Sequence, residues 1–251
     1  MKYDVVKIKI TNDCNRECVF CVFNGKDSKR EIMSYEEFVT ICKRLKKLEF
    51  DKLHINGGEP LMHPDYKKMI MYIKEEFPKK DIVLGTNAII LANNLGLLEF
   101  VKESSNEVCI GCDTEHNNID AVEKVVPQIL DGSGVLVVIN SLIEYMSDDY
   151  ERRLKAVAEQ NKGRVILVKN HVYHMRQGNP INKLTGLCKQ DNKRFLMVQE
   201  NGLCYRCFNC EVPQDSEFSI YDEDFYTKVN LARDKHYRFC GWCPLYQGGE
   251  A

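Results

Sequence analysis

The chain has 251 residues, and its 35 lysines and arginines against 37 aspartates and glutamates give a formal net charge of −2. This near balance offers no basic surface for nucleic acid and no acidic tail of the kind that stays disordered. The first apolar run, residues 5–10, is too short and too interrupted by Lys7 and Lys9 for a signal peptide or a membrane span, so we expect a cytoplasmic protein with no membrane or nucleic-acid partner.

Strand and helix patterns alternate through the first two thirds of the chain. Six strands, each of the first five followed by a helix, imply a parallel sheet with right-handed crossovers. Such a sheet is either doubly wound or a whole or partial barrel, and both gather their chemistry at the carboxyl ends of the strands. The periodicity predicts strands at residues 5–11, 52–56, 81–87, 107–113, 134–142 and 164–171, and helices at 34–48, 65–77, 95–103, 119–130 and 149–160.

The alternation stops after His171, and we expect a domain boundary near Pro180 that divides residues 1–180 from residues 181–251. In the second part, strands at 195–199 and 203–207 flank Asn201-Gly202, a pair that favours a tight hairpin. A short helix is predicted at 224–235. Half of the twelve cysteines fall here, and a chain of this size without a targeting segment more often uses its cysteines for metals or clusters than for disulfides.

Two motifs follow the first two strands. Cys14-x3-Cys18-x2-Cys21 comes directly after the first strand, and three thiolates leave a metal centre one ligand short. By spacing alone these cysteines also suit a structural zinc ion with a fourth ligand elsewhere. Gly57-Gly58-Glu59-Pro60 ends the second strand at the same sheet edge, where two glycines let the backbone approach a ligand.

Together, the cysteine motif with Phe20 and the Gly57-Gly58-Glu59-Pro60 motif resemble the radical S-adenosylmethionine (SAM) superfamily. The resemblance implies a partial (β/α)6 TIM-like barrel, in agreement with the six strands counted above. It implies that Cys14, Cys18 and Cys21 hold three irons of a [4Fe–4S] cluster whose fourth iron binds SAM. Reductive cleavage of SAM, with an electron from a flavodoxin or ferredoxin, would then yield a 5′-deoxyadenosyl radical that takes a hydrogen atom from a substrate.

The resemblance also implies contacts to SAM. Phe20 would lie near the adenine, and the motif from Gly57 through Gly58 and Glu59 to Pro60 would receive the amino group of the methionine part. Ribose and carboxylate contacts are expected at the ends of the third, fourth and fifth strands, from Asn87, Asp113 and Asn140. The chain departs from the family pattern twice: Ala88 follows Thr86-Asn87 where glycine is usual, and Gly111 stands where a serine is common two residues before the aspartate.

The C-terminal cysteines allow two interpretations. Cys204-x2-Cys207 and Cys240-x2-Cys243 have the spacing of a zinc ribbon. Behind a radical SAM barrel, however, the segment resembles the compact "twitch" form of the SPASM extension. That resemblance implies a small hairpin-plus-helix domain with an auxiliary [4Fe–4S] cluster, held by Cys188, Cys207, Cys240 and Cys243.

Three further cysteines are candidate hydrogen-atom donors. Cys204 and Cys210 are either donors or small buried side chains. Cys204 is also an alternative to Cys207 as a ligand of the auxiliary cluster. Cys112, at the carboxyl end of the fourth strand, is the third candidate. Cys42 lies on the apolar stripe of the first helix and is expected in the core.

Candidate substrate contacts lie near the same strand ends. His54 and Asn56 share one face of the second strand, and four polar residues cluster around the end of the sixth: Lys169, His171, His174 and Arg176. Such side chains can anchor hydroxyl, amine or carboxylate groups.

In length and cysteine arrangement the chain resembles the aminocyclitol dehydrogenases of butirosin biosynthesis. We therefore expect an enzyme that oxidises a small polar substrate, such as a sugar or an aminocyclitol, with the auxiliary cluster as electron acceptor. Epimerisation with a cysteine hydrogen donor and peptide maturation stay open, although the chain begins directly at the barrel, without room for a leader-peptide domain. From another class, a non-catalytic zinc module also fits the cysteine spacing.

Overall fold

A computed structural model of the chain describes residues 2–21, 31–170, 195–205 and 218–234. Its strands form one sheet in the order β6-β5-β4-β3-β2-β1-β7-β8-β9. The strands are β1 Tyr3–Lys9, β2 Phe50–Asn56, β3 Asp81–Thr86, β4 Glu107–Gly111, β5 Leu136–Leu142, β6 Val165–Asn170, β7 Phe195–Val198, β8 Leu203–Tyr205 and β9 Phe218–Ser219. The helices are α1 Tyr35–Leu45, α2 Tyr66–Glu76, α3 Ile89–Asn93, α4 Leu95–Ser104, α5 Ile119–Leu130, α6 Asp148–Gln160 and α7 Phe225–Asp234.

The first six strands confirm the predicted barrel-like architecture. Each pairs in parallel with the next one along the chain, from β1 with β2 to β5 with β6. A doubly wound sheet reverses its strand order at a switch point, and this sequential order has no reversal. The sheet is not closed, so the α/β fold is a partial (β/α)6 barrel that places the carboxyl ends of six parallel strands at one edge.

Helix α1 illustrates how the sequence directs local structure. The Ser34 side chain accepts a hydrogen bond from the backbone N–H of Glu37, and the Glu37 carboxylate accepts one from the backbone N–H of Ser34. This reciprocal capping satisfies two donors that a helix start otherwise leaves unpaired. The apolar stripe is buried, including Cys42, which lies in the core as predicted.

The strands bury one face against the helices. In β4, Val108 and Ile110 are fully buried in the core, whereas Glu107, Cys109 and Gly111 retain partial exposure on the other face. Because side chains alternate along a strand, this one-residue alternation separates a core face from a cavity face.

The C-terminal hairpin extends the barrel sheet. Strand β7 pairs in parallel with β1, with Val5 opposite Phe195, and β8 pairs antiparallel with β7. Gly202 takes a φ of 81° in the connecting turn, which glycine adopts without strain. The predicted hairpin and the final helix are thus present, while Pro180 and the predicted boundary lie outside the described residues.

A buried ion pair ties this hairpin to β1. Lys9 Nζ lies 3.3 and 3.2 Å from the two carboxylate oxygens of Glu200, and both side chains are nearly inaccessible to solvent. Replacing either partner alone would strongly lower the stability of the fold, because the remaining charge would be buried without a counter-charge.

Several elements, such as β1 and α1, begin or end a few residues from their predicted bounds. Three further details differ from the sequence prediction. The short elements α3 and β9 were not predicted, because five and two residues carry too little periodicity. Strand β4 ends at Gly111 instead of residue 113, since Asp113 already belongs to the following turn. Among the described residues, no helix combines the length and apolar character needed to cross a membrane.

Candidate active site

A cavity of about 1010 Å³ lies along the inner face of the strands, between the cysteine loop and the first strand residues. It brings together most of the N-terminal residues that the sequence predicted for the site. Those that line it are Cys14, Cys18, Cys21, Phe20, Gly57, Gly58, Asn87 and Asn140, with His54 and Asn56 from β2.

The cysteine loop is fastened to the end of β2 by backbone hydrogen bonds. The N–H of Gly58 donates to the carbonyl of Thr11 at 2.7 Å, and the N–H of Glu59 donates to the carbonyl of Asp13 at 2.7 Å. The N–H of Cys14 donates to Asp13 Oδ1 at 3.1 Å. The two motifs are therefore one structural unit.

The cysteine loop lies so close to the end of β2 that neither Gly57 nor Gly58 could carry a side chain. A Cβ on Gly57 would lie 2.6 Å from the Thr11 carbonyl oxygen, and one on Gly58 would lie 2.2 Å from that of Asp13. Both contacts are far too short for a real side chain. The glycines also border the cavity, but the protein's own loop already demands them.

The three thiols of the loop fit an iron–sulfur cluster. Burial is the main cause that raises the pKa of Cys14 to about 11 and of Cys18 to about 12, so both thiols are protonated at neutral pH until a cation compensates the thiolates. Within the described residues, no three histidine, cysteine or acidic side chains converge where a single ion could bind. Cys14, Cys18 and Cys21 line one cavity, and cysteine thiolates are the ligands that hold [4Fe–4S] clusters.

The carboxylate of Glu59 is the centre of a hydrogen-bond network next to the cysteine loop. This carboxylate is completely buried and accepts hydrogen bonds from the N–H of Leu61, the hydroxyl of Thr86 and the N–H of Asn87. Burial raises the pKa of Glu59 to about 7 despite these donors. The side chains of Glu59 and of the buried Pro60 do not line the cavity, so the expected contact of this motif with SAM is left to its backbone and to the two glycines.

Asn87 reaches the cysteine loop. Its Nδ2 donates to Asn15 Oδ1 at 2.6 Å and lies 3.9 Å from Cys14 Sγ. The next residue, Ala88, has a φ of 63° in the left-handed region. That conformation explains why glycine suits this position, and the alanine adopts it at some cost in strain.

Asp113 is fully buried and takes part in a turn. Its Oδ1 accepts hydrogen bonds from the N–H groups of Glu115 and His116 at 3.1 and 3.0 Å. It does not line the cavity. Its carboxylate organises the segment that carries His116, and its contact with the ribose or carboxylate of SAM stays a prediction.

Cys112, a candidate hydrogen-atom donor, does not line the cavity. It is fully buried in the core, on the face of the sheet that meets the helices, because it is out of phase with Cys109 and Gly111. Cys109 is the cysteine of this strand that lines the cavity. Cys204 is buried in the core, with its thiol 3.7 Å from the carbonyl of Gly202, and does not line the cavity.

Lys169, at the end of β6, pairs with Glu151, its Nζ 2.7 Å from Oε1. The other predicted residues lie outside the described residues. They are the candidate donor Cys210, the auxiliary ligands Cys188, Cys207, Cys240 and Cys243, and the polar residues His171, His174 and Arg176.

Comparison with known proteins identifies the superfamily. The sequence pattern described as the radical SAM superfamily matches residues 8–161, which is more than half of the chain. The protein belongs to the radical SAM superfamily. Membership implies a [4Fe–4S] cluster and SAM, and the cavity described above has the thiols to hold that cluster.

Curated relatives of this radical SAM chain match over its N-terminal part. A probable GTP 3′,8-cyclase from Methanocaldococcus jannaschii is 40% identical over 111 residues, which are 43% of this chain and 36% of that protein. The GTP 3′,8-cyclase of Aquifex aeolicus is 35% identical over 99 residues, 38% of this chain and 31% of that protein. The chain thus spans about a third of the length of these relatives.

Solved structures share the radical SAM fold at low identity. BtrN in complex with AdoMet and 2-DOIA superposes with a TM-score of 0.61 at 14% identity, covering 93% of this chain and 87% of that one. Streptococcus suis SuiB bound to the precursor peptide SuiA gives 0.65 at 12% identity, covering 93% and 67%. The enzyme anSMEcpe with bound AdoMet gives 0.63 at 15%, covering 91% and 82%. At these identities the likeness is one of fold.

The floor of the radical SAM cavity contains polar residues that the sequence analysis did not single out: Lys7, Arg16, Lys52, Glu107, Cys109 and His116. The strand residues among them alternate in step with His54, so they lie on the same face of the sheet. This alternation was the sequence pattern from which they could have been predicted. Lys52 Nζ lies 2.6 Å from Glu107 Oε2, across the intervening strand β3.

His54 occupies the space above a glycine of β3. A Cβ on Gly85 would lie 3.0 Å from His54 Nε2 and 2.9 Å from Asn56 Oδ1. Burial, with smaller effects of Lys7 and Lys52, lowers the pKa of His54 to about 3. The imidazole is therefore neutral and can both donate and accept a hydrogen bond inside the cavity.

Proposed function

We propose that this radical SAM enzyme removes a hydrogen atom from a small polar substrate, such as a sugar or an aminocyclitol, and oxidises it. The observation that carries the proposal is the mixed polar lining of the inner strand face, next to the three-cysteine loop in one cavity. In a binding pocket, a few convergent polar groups orient the ligand and supply specificity.

When bound, the cluster and SAM supply a radical that accepts a hydrogen atom. Cys14, Cys18 and Cys21 would hold the cluster, and Gly57 and Gly58 leave the adjoining wall free of side chains. The neutral His54 suits a hydroxyl or amine of the substrate, because it offers one donor and one acceptor. The reaction requires that the reacting carbon be kept away from water and from stray donors.

Oxidation needs an acceptor for one further electron. Loss of a hydrogen atom from a carbon that bears a hydroxyl, followed by loss of one proton and one electron, gives a ketone. The acceptor in this proposal is an auxiliary [4Fe–4S] cluster held by Cys188, Cys207, Cys240 and Cys243. Two features are consistent with it: strand β8 ends two residues before Cys207, and its hairpin lies beside β1, which leads into the first cysteine loop.

A nucleotide substrate is a second candidate, supported by the identity to the GTP 3′,8-cyclases. The charge of the cavity lining does not favour a nucleotide over other substrates. A triphosphate is strongly anionic, whereas the described lining has equal numbers of acidic and basic side chains. The acidic side chains of that lining are Asp4, Asp51 and Glu107, and the basic ones are Lys7, Arg16 and Lys52.

Epimerisation is a third candidate, and it is supported by Cys109. This thiol lines the cavity and lies 3.3 Å from Glu107 Oε1. Burial and the Glu107 carboxylate raise the pKa of Cys109, which keeps the S–H that a hydrogen-atom donor needs. Cys109 thereby joins Cys112 and Cys204 as a donor candidate among the described residues.

The test is anaerobic reconstitution with iron and sulfide, followed by SAM and a strong reductant. We expect a brown protein with roughly eight irons per chain, since two cubane clusters carry four each, and formation of 5′-deoxyadenosine. A colourless protein that binds zinc, or one that holds iron but never cleaves SAM, would contradict the proposal.

A substrate panel in D2O separates the three candidates. Aminocyclitols, sugars and GTP are compared for their acceleration of 5′-deoxyadenosine formation. A ketone product favours oxidation, a product with one solvent deuterium at the inverted carbon favours epimerisation, and a cyclised nucleotide favours the second candidate. Cys109→Ala should abolish deuterium incorporation only in the epimerisation case.

A further inference from the structure

We propose that His116 is a SAM-binding residue of this chain, whose imidazole takes the place of a side chain at position 111 and contacts the nucleoside half of SAM. The inference rests on the assignment of SAM to the inner cavity. It concerns a residue that neither cysteine spacing nor the glycine motif indicates.

The ring of His116 fills the space above Gly111. Gly111 is the last residue of β4 and faces the cavity, and a Cβ built on it would lie 2.8 Å from His116 Nε2 and 3.0 Å from Cε1. The imidazole and a side chain at 111 therefore exclude each other. The glycine stands where the family commonly has a serine, so the hydroxyl lost at 111 is matched by an imidazole in the same volume.

The neighbours of the ring indicate which part of SAM it would meet. His116 packs against Phe20 with ring centroids 5.3 Å apart, and Phe20 also contacts Tyr145 at 5.5 Å. Both Phe20 and His116 line the cavity. Because the family resemblance assigns Phe20 to the adenine, the adjacent imidazole is in position for the adenine or the ribose.

The Asp113 carboxylate lies beside the imidazole and holds the backbone that carries it. Its Oδ1 lies 2.9 Å from His116 Nδ1, and the same oxygen accepts the backbone N–H of His116. Within the described part of the chain, neither ring nitrogen of His116 forms a hydrogen bond, and Nδ1 is buried beside this carboxylate. An imidazole nitrogen can exchange a hydrogen bond with a ribose hydroxyl or with the adenine amino group.

A set of four variants tests the contact in reconstituted protein without reductant, using equilibrium dialysis of radiolabelled SAM. Loss of one net hydrogen bond should weaken SAM binding about tenfold in His116→Ala. Gly111→Ala should weaken it similarly, because the new Cβ displaces the ring. In the Gly111→Ala/His116→Ala double variant the two effects should not add, since either change removes the same contact. Gly111→Ser/His116→Ala should recover part of the affinity by returning a hydroxyl to position 111.

Methionine is the control ligand, because it lacks the nucleoside. Its perturbation of the electron paramagnetic resonance spectrum of the reduced cluster should be equal in wild type and His116→Ala. The inference is overturned if His116→Ala binds SAM like wild type, or if it loses methionine and SAM to the same extent, which would indicate general damage to the loop. If wild type holds its cluster but binds no SAM, the proposed function fails as well, and the two failures are thereby distinguished.

Discussion

The two faces of the parallel strands have opposite character, although they alternate residue by residue. Towards the helices, Val6, Ile8, Val108 and Ile110 are completely buried in one apolar core. Towards the cavity, these strands and β2 present Lys7, Lys52, Glu107 and Cys109 beside the cysteine loop. Stability and chemistry are thus assigned to different faces of one sheet, and a single-residue step changes a position from one to the other.

The largest difference between the faces is expected for two cysteines. Cys18→Ala should remove a cluster ligand, and with it nearly all SAM cleavage, because the other two thiols cannot replace the missing bond. Cys112→Ala, on the core face, should keep the cluster and lose about 1–2 kcal/mol of unfolding free energy through a small cavity. Iron content and denaturant titration measure the two effects. Loss of iron in Cys112→Ala would place that residue with the site instead of the core.

Consecutive residues of β4 give a similar contrast in stability. Ile110→Ala should lower the unfolding free energy by about 2–4 kcal/mol, since it removes a fully buried side chain from the core. Cys109→Ala should change it by less than about 1 kcal/mol, because this side chain borders the cavity. Equal losses in urea titrations of the apo protein would contradict the separation of the faces.

Gly58 and Gly85 both line the cavity, and substitutions at these two positions compare two parts of the inner face. A Cβ on Gly58 would meet the backbone of Asp13, so Gly58→Ala should displace the cysteine loop, reduce iron binding and cost about 2 kcal/mol or more. A Cβ on Gly85 would meet only the ends of the His54 and Asn56 side chains, which can move. Gly85→Ala should therefore keep its iron and change stability by less than about 1 kcal/mol. Normal iron binding by Gly58→Ala would be the contrary result.

The smallest effect is expected at Ala88. Glycine there relieves the left-handed strain but loses a buried methyl group and backbone order, so Ala88→Gly should change the unfolding free energy by less than about 1 kcal/mol. Ala92→Gly, in α3, has no strain to relieve and should lose about 1–2 kcal/mol. Thermal unfolding of both variants tests this, and a larger loss at position 88 than at 92 would exclude the role of backbone strain.

Much of the fold followed from local pattern. Helix α5 has the bounds predicted for it, and the six parallel strands lie where the periodicity predicted them to within a few residues. The cavity face was harder to predict. Glu107 and Lys52 are 55 residues apart in the chain, and only the packing of β2, β3 and β4 brings their charges together.

The sequence by itself determined the superfamily and the cysteine loop, because both depend on residues spaced a few positions apart, whose relation the covalent chain fixes. The tertiary structure decided that Cys109 faces the cavity, that the Asp113 carboxylate is buried in the turn after β4, and that His116 covers Gly111. These outcomes depend on where each strand ends and which face meets the helices. Such contacts arise from packing between distant segments, and the spacing of residues along the chain does not predict them.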